Sequence, residues 1–256
     1  MRLLWLLCLL SFEAAAQTAN ERPERSDVRE LRRDALLGAQ EFVEHPTVDY
    51  KLLLGAAYTD AESGATAWAT PFYFRVRFNE RKTFFKVSGD GYVQTRTNEG
   101  EAAGLANVNL AIAHTLLEGL RGTLGITIPS GSAVGSEQGR ERVGLSYERT
   151  LYGPWSGGIE FQLVRYDADP DPGESRVRRQ GLVQAAYNFE DSKLVVVQLE
   201  RLYRPGVTSA AVASFGYQMP IWRNAAGPVL GVATLSRGLS PNLHDTTLEL
   251  DVCVRF

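Results

Sequence analysis

Segments of about ten residues in which apolar and polar side chains alternate recur from residue 48 to residue 256. Because side chains point to alternate faces of a strand, each segment predicts a strand with one apolar face. We count about twelve such segments. Barrels that cross a bilayer have an even number of strands, and each strand is about as long as these segments. The predicted strands span residues 48–58, 70–79, 83–94, 105–116, 122–129, 141–151, 157–167, 179–190, 193–203, 209–221, 227–236 and 246–256.

The second predicted strand has the clearest alternation, whereas the ninth and eleventh alternate poorly. On one face of the second strand lie Phe72, Phe74, Val76 and Phe78, and on the other Tyr73, Arg75, Arg77 and Asn79. A charged face of this kind cannot face hydrocarbon without a cost of several kcal/mol for Arg or Lys near the bilayer centre. The apolar face is therefore expected to meet lipid and the charged face to line an interior.

The connections alternate between short turns and longer polar loops, as expected for a barrel with both termini on the periplasmic side. The predicted short turns are 79–82, 117–121, 152–155, 190–193 and 222–226. The predicted outer loops are 60–67, 96–103, 129–140, 168–178, 204–208 and 237–245. This pattern favours an all-β, transmembrane antiparallel β-barrel over a soluble sandwich, which has no reason to alternate short and long connections.

The two ends of the chain predict export to the outer membrane. Residues 1–16 combine Arg2, an apolar run from Leu3 to Leu10 and three alanines at 14–16, which is typical of a secretory signal peptide. Residues 248–256 alternate in phase and end on Phe256. This ending resembles the C-terminal sorting signal of bacterial outer-membrane barrels, which implies the barrel-assembly machinery and outer-membrane lipid as partners.

Residues 17–47 precede the barrel, which is predicted to span 48–256. Ser26 could cap a helix that runs to about Glu44, and Pro46 would end it. Two interpretations remain open for this N-terminal arm: a periplasmic leader, or a segment that enters the lumen and narrows it.

Composition removes several classes of protein. No apolar run approaches the ~20 residues of a spanning helix, and a net charge of -3 argues against nucleic-acid binding. Without residues 1–16, Cys253 is the only cysteine, so no intramolecular disulfide is possible. The three histidines are scattered, and neither a metal site nor a cofactor is predicted.

Charged side chains on the inner faces are the candidate pore-lining residues. These are Arg75, Arg77, Lys86, Asp90, Arg142, Glu148, Glu160 and Glu200. We expect the basic group around Arg75 and Lys86 to lie roughly across the barrel from Glu148 and Glu160, giving a transverse field that orients polar solutes. In the alternative, the same residues form a salt-bridged network that fills a narrow barrel.

Two short segments resemble outer-membrane proteins of the phenol-degradation MetA-pathway type. They are Gly104-Leu105-Ala106-Asn107-Val108-Asn109-Leu110 and Ile128-Pro129-Ser130-Gly131, together with the Phe256 ending. The family tends to have Gly and Asp where this chain has Ala106 and Asn107, and Thr where it has Ser130. The resemblance implies passage or binding of small, hydrophobic or aromatic compounds, and it carries over no catalytic residues.

The sequence therefore predicts an outer-membrane channel for passive passage of small solutes. One alternative is a surface enzyme that hydrolyses lipid or peptide. It would use His244 and Asp245 on one predicted outer loop with Asp167, Asp169 and Asp171 on another, or His114 with a serine. The other alternative is a structural barrel with a blocked lumen.

Overall fold

The described part of the chain is built almost wholly of strands. The computed structural model describes residues 49–61, 63–78, 82–98, 100–130, 139–166, 176–189, 193–203, 209–224, 227–240 and 245–255. Its strands are β1 (Asp49–Asp60), β2 (Thr66–Ala69), β3 (Phe72–Phe78), β4 (Thr83–Gly89), β5 (Tyr92–Thr97), β6 (Gly100–Leu105), β7 (Val108–Leu117), β8 (Leu120–Ile128), β9 (Arg140–Tyr152), β10 (Trp155–Tyr166), β11 (Val177–Asn188), β12 (Leu194–Tyr203), β13 (Ala210–Asn224), β14 (Gly227–Gly238) and β15 (Thr246–Arg255). The predicted signal peptide, the arm over 17–47 and Phe256 lie outside the described residues.

The strands form one closed antiparallel barrel. Each pairs with its sequence neighbour from β7 through β15, and β15 closes the sheet by pairing with β1 from Arg255↔Lys51 to Thr246↔Asp60. Three of the crossing strands are interrupted, so that β2 and β3, β4 and β5, and β6 and β7 each make one crossing, which gives twelve crossings in all. The predicted all-β barrel is confirmed. The ring of β1, β3, β4 and β7 to β15 has no open edge, whereas β6 pairs only with β5 among the described strands.

The three interruptions lie side by side, at Thr70-Pro71, Asp90-Gly91 and Ala106-Asn107. The Thr70 amide donates to the Asp90 carbonyl at 3.1 Å, and the Ala106 amide donates to the Gly91 carbonyl at 2.7 Å. Pro71 has no amide proton to contribute to a sheet ladder. Gly91 has a φ of +59°, a conformation that favours glycine. On one side of the three interruptions β2 pairs with β1 and β5, and on the other side β3 pairs with β1 and β4.

The barrel has two unlike ends, which we call the loop end and the turn end. At the turn end β7 and β8 are joined by residues 118–119, and β9 and β10 by residues 153–154, as the predicted short turns require. At the loop end the connections after β8 and β10 exceed nine residues. The predicted loop over 96–103 is wrong, because β5 and β6 continue as a hairpin joined by residues 98–99. Both faces of that hairpin are largely accessible, so its sequence carries no apolar face by which to recognise strands.

Burial alternates along most strands, with charged and amide side chains inside and large apolar side chains outside. On β10, Ile159, Phe161 and Leu163 are exposed on the outer face, whereas Gln162 is buried within the barrel. A soluble protein does not expose apolar bands of this kind, but lipid-facing strands do. No helix in the described ranges is long and apolar enough to cross a membrane.

Part of the inner wall is apolar, on β11 to β14. Its buried inward side chains are Leu182, Ala186, Leu194, Val196, Leu202, Ala210, Val212, Leu230 and Val232. We call this set the apolar inner wall. It explains why the ninth and eleventh predicted strands, which correspond to β12 and β14, alternate poorly: apolar residues lie on both of their faces.

Candidate solute pathway in the barrel interior

All eight candidate pore-lining residues point into the barrel. Arg75, Arg77, Lys86, Asp90, Arg142 and Glu200 are buried, and Glu148 and Glu160 are half-buried. For the seven that lie on strands, the inward direction follows from alternation, since their neighbours in sequence face outward. Asp90 follows directly after β4 and is buried. The charges thus lie on the side of the sheet that hydrocarbon does not reach.

Three cations stand next to one another on adjacent strands β1, β3 and β4. Lys51 is the register partner of Arg75, and Arg75 is the register partner of Lys86. Their relative exposures are 0%, 2% and 2%. We call these three residues the cationic row. Like charges on directly opposite strand positions repel one another, and repulsion is stronger away from water, so the row requires anions nearby.

Acidic groups meet part of the cationic row in one cavity. One small cavity is lined by Tyr73, Arg75, Phe84, Lys86, Arg121, Thr123, Ser146, Glu148 and Glu160. The predicted position of the two acids roughly across the barrel needs correction. Counted as crossings, β9 and β10 are the sixth and seventh of twelve, whereas β3 and β4 belong to the second and third. The opposite charges are therefore about a third of the circumference apart, and both border this cavity.

Aromatic and amide side chains hold the charged groups of this region in place. The Phe84 ring lies 5.6 Å from the Arg75 guanidinium carbon and 4.9 Å from that of Arg121, within the range of cation–π attraction. On the acidic side, Gln184 Nε2 donates to Glu148 Oε1 at 3.1 Å, and Gln162 Nε2 donates to Glu160 Oε1 at 2.6 Å. Both acids therefore have fixed hydrogen-bond donors.

A second polar layer lies nearer the loop end, around Arg142. Its Nη2 donates to Asn109 Oδ1 at 2.5 Å and to Thr127 Oγ1 at 2.8 Å, and the Thr127 hydroxyl also donates to Asn109 Oδ1 at 2.7 Å. Close by, the Ser130 amide donates to Asn107 Oδ1 at 3.1 Å and its hydroxyl to the Leu105 carbonyl at 2.6 Å. The two segments that carry the family resemblance thus meet in space, through Ser130 and Asn107.

Three inward arginines were missed by sequence reasoning: Arg121, Arg140 and Arg178. Arg140 and Arg178 flank the buried Tyr166 ring, with guanidinium carbons 5.2 and 5.4 Å from its centroid. All three fall inside segments that were predicted to be connections, because β8, β9 and β11 begin one or two residues earlier than expected. Extending the alternation of each strand by a residue or two would have found them.

The residues of the enzyme alternative are not brought into a catalytic arrangement in the described part of the chain. Thr83 Oγ1 and His114 Nδ1 lie 2.8 Å apart at the outer surface near the turn end, so the contact of His114 there is with a threonine hydroxyl. Asp245 is described, whereas His244, Asp167, Asp169 and Asp171 lie outside the described residues. Among the residues that the structure describes, no group of three or more His, Cys, Asp or Glu is placed to bind a metal ion.

Solved structures with the same architecture include several outer-membrane proteins. The COG4313 outer membrane channel from Pseudomonas putida F1 aligns with a TM-score of 0.61 and 14% identity, over 84% of this chain and 98% of the other. The KdgM porin aligns with a TM-score of 0.55 and 10% identity, over 80% and 99%. The translocator domain of the autotransporter NalP from Neisseria meningitidis gives 0.54 and 15%, over 90% and 95%.

The chain has the fold of outer-membrane β-barrels. Its relation to these proteins is one of architecture, since identities are at or below 15%. No protein-family model and no curated protein matches the sequence. The proteins that share this fold include two channels and a translocator domain. The fold alone therefore does not determine the function, which depends on the residues inside this barrel.

Proposed function

We propose that the protein is an outer-membrane channel for the passive passage of small solutes. The observation that carries this proposal is the charged cavity inside a barrel whose outer face is apolar. Arg75, Lys86, Glu148 and Glu160 surround the same space, and opposed charges along a pore orient dipolar and ionic solutes. The likeness in fold to the COG4313 channel and the KdgM porin supports the same location and role.

The class of solute follows from the two kinds of inner wall. The charged residues lie mainly on β1 to β10, whereas on β11 to β14 the residues of the apolar inner wall are interspersed mainly with neutral polar side chains, such as Gln184, Gln198 and Ser214. A solute that carries both an apolar part and a polar group can contact both walls at once. The family resemblance points the same way, towards small hydrophobic or aromatic compounds. We therefore propose amphipathic small molecules as the solutes.

Conductance across a planar lipid bilayer tests the channel. We expect discrete current steps from the purified chain without residues 1–16. A second form that also lacks residues 17–46 separates an intrinsic pore from one narrowed by the arm: a larger step indicates that the arm occupies the pathway. Absence of current steps from both folded forms would overturn the proposed function.

The near-complete burial of the interior charges favours a second candidate, a structural barrel with a filled lumen. Glu200 is 1% exposed, and the cationic row is no more than 2% exposed. Close packing of this kind can serve rigidity instead of transport. The bilayer experiment separates the two functions, because a filled barrel gives no current in either form while remaining folded.

A further inference from the structure

Four arginines interrupt the apolar outer surface of the barrel near its loop end. They are Arg165 on β10, Arg179 on β11, Arg201 on β12 and Arg237 on β14. On each strand the outward positions between the turn end and the arginine are apolar, aromatic or small, as with Val195, Val197 and Leu199 before Arg201. The arginines therefore mark the border where the apolar band ends. We call the four residues the arginine belt.

The register places the belt at a common height. The partner of Arg165 is Val177, and Arg179 lies two residues beyond it towards the turn end. The partner of Arg179 is Tyr203, and Arg201 again lies two residues closer to the turn end. Strands in a barrel are tilted, so positions at one height shift along the register from strand to strand.

The direction of that shift agrees with the tilt of this barrel. From Leu53 on β1, register partners lead through Cys253 and Leu230 to Pro220 on β13. Pro220 lies two residues beyond Gln218, the last residue of β13 that pairs with β12 towards the turn end, so the register line has run past the turn end of β12. Read in the order β10 to β14, the register line therefore climbs towards the loop end. Along its strand, each belt arginine lies closer to the turn end than the register partner of the preceding arginine does. This shift offsets the climb of the register line, so the arginines stay at nearly the same height.

The belt is confined to one sector of the wall. Among the described outward positions near the loop end of the other strands, Asp60 and Glu141 are acidic, and Arg96 is paired with Glu101 at 3.2 Å. Glu141 also lies 3.6 Å from Arg165, with both side chains more than 60% exposed. One belt charge is thus partly balanced, and the other three are not matched by a described acid on the outer face of β10 to β14.

The surface around Arg201 and Arg179 has room for a ligand. The partners of Arg201 on both sides are small, Gly181 and Ala211, and no heavy atom lies within 4 Å of where a Cβ on Gly181 would be. The Arg179 guanidinium carbon lies 6.0 Å from the centre of the exposed Tyr203 ring. Small side chains therefore leave open space beside Arg201, and Arg179 lies on the neighbouring strand.

We propose that the arginine belt binds the phosphate groups of an anionic phosphorylated lipid in the leaflet at the loop end. Guanidinium groups bind phosphate oxygens in bidentate fashion, and their charge is held where lipid headgroups lie. Basic residues at this level attract anionic headgroups. The occupant is a lipid because the belt adjoins an outer surface whose exposed apolar side chains, such as Val197 and Leu199, would contact its acyl chains. This site is on the outer face and does not depend on the proposed channel.

Lipid retention by the purified full chain in detergent tests the proposal. The probes are bis-phosphorylated lipid A, its dephosphorylated form and phosphatidylcholine, each counted by native mass spectrometry. Arg179→Gln with Arg201→Gln is compared with Arg149→Gln and Arg223→Gln, which remove two arginines near the turn end. We expect the first pair to weaken binding of the phosphorylated lipid by about tenfold or more, and the control pair to leave it unchanged.

Three results would overturn the lipid site: equal binding by both variants, equal retention of the dephosphorylated lipid, or retention of phosphatidylcholine as strong as that of the phosphorylated lipid. Binding of inorganic phosphate at millimolar concentration, in a protein that retains no lipid, would assign the belt to free anions and also contradict the proposal. Heat-modifiable migration on a gel shows that each variant is folded. Because the substitutions lie outside the lumen, current steps are expected to persist in the variants, so failure here is separate from failure of the channel.

Discussion

Single residues decide local geometry where the wall bends, and Gly91 is the sharpest case. Its φ is +59°, and a Cβ at this position would lie 2.4 Å from the Thr70 carbonyl oxygen. Neither the backbone of Thr70 nor that of Gly91 can move without disturbing the hydrogen bonds that join the three interrupted strands. The interruption therefore depends on the absence of a side chain.

Gly91→Ala is expected to destabilise the barrel by about 1–3 kcal/mol, because it adds both backbone strain and a close contact. Gly181→Ala is the matched control: nothing lies within 4 Å of its Cβ position, and its φ is not in the left-handed region. The measurement is the free energy of unfolding in urea with lipid vesicles, followed by tryptophan fluorescence. Equal stabilities of the two variants would show that the bend tolerates a side chain at residue 91.

At the scale of the strand, alternation between two solvents accounts for most of what could be predicted. The crossings were predicted because lipid on one side and charge on the other leave a repeat of two in the sequence. The prediction was wrong at 96–103, where the β5–β6 hairpin has water on both faces and no such repeat can form. It was weak at β12 and β14 for the opposite reason, since their inner faces are apolar as well.

A charge added to the outer face of a strand should destabilise the barrel far more than the same charge added to its inner face. Phe161→Lys puts an ammonium group on the outer face in mid-strand, where the expected cost is about 2–4 kcal/mol. Gln162→Lys puts the same group on the adjacent inner position, next to Glu160, and should cost much less. Unfolding free energies of the two variants in vesicles check this. A larger loss for Gln162→Lys than for Phe161→Lys would contradict the assignment of lipid to the outer face.

At the scale of the whole molecule, the sign of the charge on each strand pair could be predicted from the sequence. That the basic and the acidic residues line one shared cavity could not. The sequence places Arg75 beside Lys86 and Glu148 beside Glu160, because each pair follows from a short turn between neighbouring strands. The distance between the two pairs depends on the circumference of the barrel. It also depends on side chains such as Phe84 and Arg121, which contact each other only once the sheet has formed. Long-range arrangement of this kind leaves no periodic mark in a single sequence.

The shared cavity leads to a prediction of opposite sign for its two sides. In a conducting barrel, Arg75→Gln with Lys86→Gln removes fixed positive charge from the cavity and should shift the reversal potential in a KCl gradient towards cation selectivity. Glu148→Gln with Glu160→Gln should shift it towards anion selectivity, because a fixed charge attracts its counter-ion into a pore. Arg149→Gln, which changes a charge on the outer face, is the control and should leave the reversal potential unchanged.

The same four substitutions also distinguish a channel from a filled barrel, through their effect on stability. If the charges only hold a packed lumen together, no current is seen, and each pair of substitutions removes the counter-charges from the other side of the cavity. Removing the counter-charges of buried groups costs about 3–5 kcal/mol, so Glu148→Gln with Glu160→Gln, which leaves Arg75 and Lys86 buried, should cost more than Arg75→Gln with Lys86→Gln, which leaves two half-buried acids. Combining all four substitutions should then recover part of that loss, since interacting residues are not additive. If current is seen but neither pair shifts the reversal potential, the cavity lies outside the path of the ions.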